Sequence, residues 1–218
     1  DVNSILEIDE SDKVLSHELF QGGDKEVYNM STDIFVVDTP FLIEKLEEEA
    51  AKEEPRKLRY VLRDLAVAEN AFAYEYTGYL SNIHSVKAYF DANLDMLESQ
   101  KFYSLFAPNQ KVYTKVKNEE PTYYATSSDV KVSQFASGSI VRGKVNHSVV
   151  SRNVDVAEGS SVSHSVLFPR VKVGKGATVE YAIVDKGVEI AEGVTIRGTE
   201  NNPVVIKKGS VVTEDIVR

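Results

Sequence analysis

Two histidines stand seventeen residues apart in matched contexts, Val145-Asn146-His147-Ser148-Val149 and Val162-Ser163-His164-Ser165-Val166. An imidazole titrates near neutrality, so either could serve as a general base, for example in acyl transfer. The plainer reading is that the two lie directly above one another, with Tyr181 next, as a stacked outward ladder. Gly22-Gly23-Asp24 lacks the flanking strand and helix of a phosphate loop and reads as a turn. Glu47-Glu48-Glu49 reads as a solvated helix face. There is no Cys, which excludes disulfides and thiolate zinc sites. The net charge is −9, from 34 acidic and 25 basic residues, without a basic run that could neutralise nucleic-acid phosphates. No apolar run approaches the roughly 20 residues that span a bilayer. The chain opens on Asp1-Val2-Asn3-Ser4, without an initiator Met or a signal-peptide pattern. We therefore expect a fragment or processed chain of a soluble, cytoplasmic protein that binds neither nucleic acid nor membrane.

The elements that would carry the histidines repeat. Val154, Val171 and Val188 are spaced by seventeen, as are Val156, Val173 and Ile190. Val145, Val162, Val179 and Ile196 form a third column, and Val149, Val166 and Ile183 a fourth. Gly159, Gly176 and Gly193 fall in step, as glycine would at a corner that needs positive φ. A step of sixteen then carries Ile190, Gly193 and Ile196 onto Ile206, Gly209 and Val212. Apolar residues at intervals of about six, such as Val156, Val162 and Phe168, give two sides of six and one of five. The pattern predicts a parallel β-helix of four or five three-sided coils, clearest from Ile140 to Val212, with the column residues pointing inward.

Residues 1–105 read as α/β. Val14-Leu15 and the apolar run in Asp33–Asp38 look like strands, the second of the kind buried in a parallel sheet. Thr39 is a plausible N-cap with Pro40 behind it, for a helix from Phe41 to Ala51. Further helices are expected over Lys57–Glu69 and Ser85–Leu97, and a strand over Ala71–Tyr76. These are too few strands for a doubly wound sheet, so the segment reads as the tail of a larger α/β domain. Residues 106–130, with Pro108, Pro121 and Tyr123-Tyr124, read as a connector, and 131–218 as the β-helix.

This layout, and several segments letter by letter, resemble the bacterial glucose-1-phosphate adenylyltransferases (ADP-glucose pyrophosphorylases). The matching segments are Ser165-Val166-Leu167-Phe168-Pro169-Arg170-Val171 in the coil, Ala88-Tyr89-Phe90 with Ala92-Asn93-Leu94-Asp95, and Pro121-Thr122-Tyr123-Tyr124. The resemblance implies the C-terminal part of a nucleotidyltransferase α/β domain, followed by a left-handed, hexapeptide-type β-helix. It also exposes departures. Catalytic members carry a metal-binding Asp where this chain has Asn82, in Leu80-Ser81-Asn82-Ile83-His84-Ser85. Their sugar-phosphate Lys has no counterpart in Ser16-His17-Glu18-Leu19-Phe20-Gln21, around Phe20. Their Asp-Phe-Gly element is missing around Arg56-Lys57-Leu58.

Such losses resemble the non-catalytic, regulatory (GlgD-type) subunits of the family. We accordingly expect no catalytic residue, no metal and no cofactor in this chain, Mg²⁺ being the parent enzyme's. The expected partner is the catalytic subunit, in a mixed tetramer making ADP-glucose from ATP and glucose 1-phosphate for glycogen, and the chain alone should be inactive. By the same resemblance Lys186 and Arg218 fall at positions that bind a phosphorylated sugar effector, although Glu214 replaces a nearby basic residue. Arg170 could reach an interface. For Lys186 and Arg170 a solvated coil corner is the competing reading. The rivals from other classes are a hexapeptide-repeat acyltransferase using His147 or His164, and a purely structural assembly module.

Overall fold

A strand is stable only where a neighbour takes its backbone hydrogen bonds, and the two halves of this chain meet that requirement differently. The computed structural model describes residues 4–22, 24, 26–106, 111–115 and 117–218, which leaves Gly23 and Pro108 outside the described residues. The chain divides into two units, Asp1–Thr77 and Gly78–Arg218.

In the first unit, β1 (Ser4–Ile8) lies between β2 (Val14–Leu19) and β3 (Asn29–Ser31), antiparallel to both. The β1–β2 turn is tied by Asp9, whose Oδ1 accepts from Ser11 N at 2.8 Å and Lys13 N at 3.1 Å. Helices α1 (Thr39–Ala50) and α2 (Leu58–Ala68) follow. Three expectations need correcting. Asp33–Asp38 is not a strand: no described strand pairs with it, and Ile34 and Val36 are 79% and 102% exposed. Ala71–Tyr76 is reduced to one antiparallel bridge, Phe72 to Lys13. The α1 cap is Asp38, not Thr39, because its Oδ1 accepts from Phe41 N at 3.1 Å.

In the second unit, α3 (Val86–Leu94) starts at Ser85, whose Oγ accepts from Ala88 N. A 3-10 turn over Asp95–Leu97 and α4 (Ser99–Leu105) complete this helical segment. The rest is the parallel β-helix, left-handed and of hexapeptide type, winding through about six coils rather than four or five. Its first face stacks Tyr123–Tyr124, Ile140–Val141, Asp155–Val156, Lys172–Val173, Glu189–Ile190 and Val211–Val212. The second runs from Asp129–Lys131 through Lys144–Asn146, Ser161–Ser163, Thr178–Glu180 and Thr195–Arg197 to Ile216–Val217. The third stacks Gln134–Phe135, Val149–Val150, Val166–Leu167, Ala182–Val184 and Val204–Ile206. The first coil strand, Tyr123–Tyr124, thus lies within the stretch read as a connector.

Inward residues Val141, Val156, Val162, Leu167, Val179, Val184 and Ile196 are all fully buried, so the core is a column of apolar side chains along the axis. The spacing from Val156 to Val162 to Leu167 to Val173 gives sides of six, five and six. Two details differ from the sequence reading. Leu167 points inward where Phe168 was expected, and Val166 and Ile183 face outward, since side chains alternate along a strand. The last step is not sixteen: Val184 pairs with Ile206 and Ile190 with Val212, a step of twenty-two. Five extra residues, 199–203, enter between Gly198 and Val204, so Gly209 continues the Gly187 corner and not the Gly193 one. One corner is short instead. At Gly143 a Cβ would lie 2.6 Å from the carbonyl oxygens of Ala157 and Ser160, which leaves room only for glycine.

Candidate functional site

The corner between the second and third faces carries His147, His164 and Tyr181 in successive coils, all with left-handed φ of 47°, 43° and 48°. A non-glycine residue in this region is strained, and a serine ladder beneath the corner compensates. Ser148 Oγ donates to Asn146 O at 2.8 Å and accepts from Ser165 N at 3.1 Å. Ser165 Oγ repeats this one coil on, donating to Ser163 O at 2.7 Å and accepting from Ala182 N at 3.1 Å. Both serines are fully buried and fully used.

With the backbone so fixed, the rings stack. His147 and His164 lie 4.9 Å apart between centroids, and His164 and Tyr181 4.8 Å apart at an interplanar angle of 17°. The ladder read from the sequence is present. Outward Val166 and Ile183 pack against Phe90 of α3, and Tyr89 stacks on Phe168 at 13°. Gln134 Nε2 donates to Met96 O, tying the 3-10 turn to the third face. A cleft of about 530 Å³ remains between the helical segment and the corner. Phe90 and Leu94 form its apolar wall, the ladder its floor, and Lys87, Asp91, Asp95, Glu98 and Glu200 its rim. Glu200 belongs to the five-residue insertion, which the repeat arithmetic missed.

Burial, reinforced by His147, holds the His164 pKa below its ordinary 6.5. Its Nδ1 is buried without a hydrogen-bond partner. A general base must reach the proton it removes. His164, sandwiched between two rings, is a poor candidate, and the acyltransferase reading is not favoured.

The other sites inferred from sequence are scattered. Lys186 and Arg170 share the corner between the third and first faces. Arg170 has φ 63° and donates its N–H to Arg152 O, and Lys186 O accepts from Gly209 N. Arg218 lies elsewhere, at the end of the second face, donating its N–H to Arg197 O. Asn82 is exposed in a stretch outside helix and strand, its carbonyl accepting from His84 N at 3.0 Å in a tight turn. Phe20 packs edge-on against Tyr28 at 4.9 Å. Among the described residues no group of three or more His, Asp or Glu side chains could hold a metal ion. Asn82 offers a neutral amide where Mg²⁺ prefers a carboxylate, so the donors present do not fit that ion.

Sequence reasoning missed two polar clusters in the first unit. Glu49 is buried, not solvated: its carboxylate accepts from Arg56 N at 2.9 Å and Arg56 Nε at 3.0 Å, and pairs with Lys52 at 2.5 Å. Hydrogen bonds from Arg56 and Lys52 lower its pKa to about 2. The second cluster gathers Ser4, His17, Asp33 and Arg63. Arg63 donates to both Asp33 oxygens at 3.0 and 2.5 Å, and His17 Nε2 lies 3.1 Å from Ser4 Oγ and 3.8 Å from Asp33 Oδ1. Ser, His and Asp invite comparison with a nucleophile triad. A triad needs the carboxylate on the opposite ring nitrogen, and here His17 Nδ1 is buried without a partner. Burial and then Arg63 lower the His17 pKa, so the neutral ring belongs to a structural cluster.

Comparison with known proteins agrees with this architecture. A family model described as GlmU-like, C-terminal hexapeptide, matches residues 116–217. The glycogen biosynthesis protein GlgD of Bacillus subtilis (strain 168) is 34% identical over 197 residues, 90% of this chain and 55% of that protein. GlgD of Geobacillus stearothermophilus is 53% identical over 127 residues, covering 58% of this chain and 37% of that protein. A glucose-1-phosphate adenylyltransferase of Clostridium acetobutylicum is 28% identical over 162 residues, 72% of this chain and 42% of the enzyme. The chain spans about half the length, or less, of these relatives. No helix among the described residues is long and apolar enough to cross a membrane. Over nine-tenths of its length the chain is therefore similar to a GlgD glycogen biosynthesis protein, and over 72% of it to a glucose-1-phosphate adenylyltransferase.

Proposed function

We propose that the chain is part of a non-catalytic, regulatory subunit of glucose-1-phosphate adenylyltransferase, supporting ADP-glucose synthesis from ATP and glucose 1-phosphate for glycogen. The observation that carries this reading is the similarity to GlgD over 90% of the chain, at 34% identity. Chemistry supports the non-catalytic half of it. Chemistry of this kind needs a carboxylate to hold the metal and a cation to grip the sugar phosphate; Asn82 is neutral, and Ser16-His17-Glu18-Leu19-Phe20-Gln21 has no Lys. Mg²⁺ and the reacting groups then belong to the catalytic subunit with which this chain would form a mixed tetramer. Lys186 is the cation proposed to meet a phosphorylated sugar effector, with Arg218 at a separate position and Arg170 at a subunit contact.

The test mixes the purified chain with a catalytic glucose-1-phosphate adenylyltransferase subunit and follows ADP-glucose formation. The expected result is no turnover by the chain alone, a mixed oligomer on sizing, and a shifted response to phosphorylated sugars that Lys186→Ala removes. Turnover by the chain alone would falsify the regulatory reading. Failure to associate would leave the glycogen role without a partner and overturn the assembly claim.

A further inference from the structure

The stacked histidines beneath α3 have a use that a passive ladder would not. We propose that His164, stacked between His147 and Tyr181, forms an acid-sensitive latch: protonation of its ring loosens the seat of α3 on the third face of the coil. The rings are 4.9 Å apart, so a proton on one opposes a proton on the other. His164 is also sandwiched by Tyr181, and its buried Nδ1 has no acceptor for the proton it would gain. An imidazolium there must leave its Nδ1–H unpaired or shift out of the stack that floors the α3 cleft.

Opposing this are the carboxylates facing the cleft, most of which already hold a cation. Asp91 pairs with Lys87 at 2.6 Å on α3. Asp95 and Glu98, just beyond it, share Lys101 at 2.6 and 2.9 Å. On the coil, Glu180 pairs with Arg197 at 2.7 Å. Glu200, on the exposed insertion, adds its charge from the rim. Lys87 adds a positive charge on the same rim. Burial outweighs this attraction, consistent with the lowered pKa of His164. The sign follows. A base whose pKa is lower in the docked state favours docking fully above its ordinary value of 6.5. Docking is lost progressively as pH falls below that value toward the lowered one.

The test is amide hydrogen exchange of the whole chain at about pH 7.5 and about pH 5.5, corrected for intrinsic exchange. Peptides covering Val86–Leu97 report the latch, and the inner strands of the coil serve as reference. Severalfold loss of α3 protection in acid is expected, with the coil unchanged. In His164→Phe, which keeps a ring in the stack and cannot titrate, the loss should disappear; His147→Phe should reduce it and stands in if the first variant misfolds. His17 and His84 remain in both variants, so a fall in α3 protection that persists undiminished would assign the effect to them and overturn the proposal. Unchanged or increased protection of wild-type α3 in acid would overturn it as well.

Discussion

The coil and the first unit contain similar residues but solve the pairing problem at different distances. In the coil, each strand meets its partner one turn away, through steps of fifteen, seventeen, twenty or twenty-two residues, and the inward positions close on one another. In the first unit the apolar run within Asp33–Asp38 meets no described strand, while Phe72 and Tyr74 are 69% and 91% exposed. A repeat carries its own core, whereas an α/β sheet borrows neighbours from afar. Equal apolar content therefore does not mean equal burial, and substitutions in the two regions should differ accordingly.

The sharpest way to break this comparison is a matched truncation. Leu167 is fully buried at the coil axis, and Leu167→Ala should cost about 2–5 kcal/mol through lost burial and a cavity. Val36, 102% exposed, should tolerate Val36→Ala within about 0.5 kcal/mol. Urea unfolding of both variants decides it. A large loss at Val36 would mean that the first unit buries that side chain after all.

A smaller loss is expected at Ser165, whose hydroxyl donates to Ser163 O and accepts from Ala182 N in the next coil. Ser165→Ala leaves Ala182 N–H without its acceptor in a dry interior, which costs about 1–3 kcal/mol. Ser133→Ala, at a half-buried position in the first rung of the same ladder, should cost less, since water can reach and replace the hydroxyl there. Equal losses at the two sites would show that the ladder does not matter to the corner.

The same contrast explains what the residues disclosed in advance. The coil columns and the His147–His164–Tyr181 stack follow from a period, and a period survives without knowledge of the partner. The insertion at 199–203 was hidden because Ile206, Gly209 and Val212 reproduce the spacing of Ile190, Gly193 and Ile196 in the coil before it. That spacing cannot distinguish one corner from another. Asp33–Asp38 reads as a strand on composition, but composition does not say whether a neighbour is there. The cleft beneath α3 depends on Phe90 meeting Val166 and Ile183, more than seventy residues away, and no local pattern encodes that meeting. Glu49 was hidden in a run of three glutamates, where only the partner Arg56 distinguishes it.

Glu49 gives the first unit its clearest pH signature. Its carboxyl is held at about 2 against an ordinary 4.5, so its contribution is complete above 4.5 and disappears as pH falls toward 2. Glu49→Gln should lower the melting temperature at neutral pH and flatten its fall over that acid window. The loss should be modest, because Lys52 and Arg56 are about half exposed and solvent screens them. The coil, whose buried polar groups are uncharged serines, should contribute no such slope there. A variant whose acid profile matches the wild type would show that the Arg56 and Lys52 contacts do not stabilise the α1–α2 connection.

The smallest effect separates two neighbouring residues at the start of α1. Both Asp38 and Thr39 are good capping types, and the Pro that follows favours a helix start at either. The geometry chooses Asp38: its φ and ψ of −61° and 131° are extended, and its Oδ1 accepts from Phe41 N–H, three residues on. Thr39 is already the first helical residue. Asp38→Ala should therefore cost about 1 kcal/mol, and Thr39→Ala a few tenths at most, in thermal unfolding followed by helical circular dichroism. Because the carboxylate also faces the positive end of the helix dipole, Asp38→Asn should retain most of the cap and lose only the charge contribution. If Thr39→Ala proves the costlier change, the helix begins one residue later than its backbone indicates, and the first unit's local caps are as ambiguous in the fold as in the sequence.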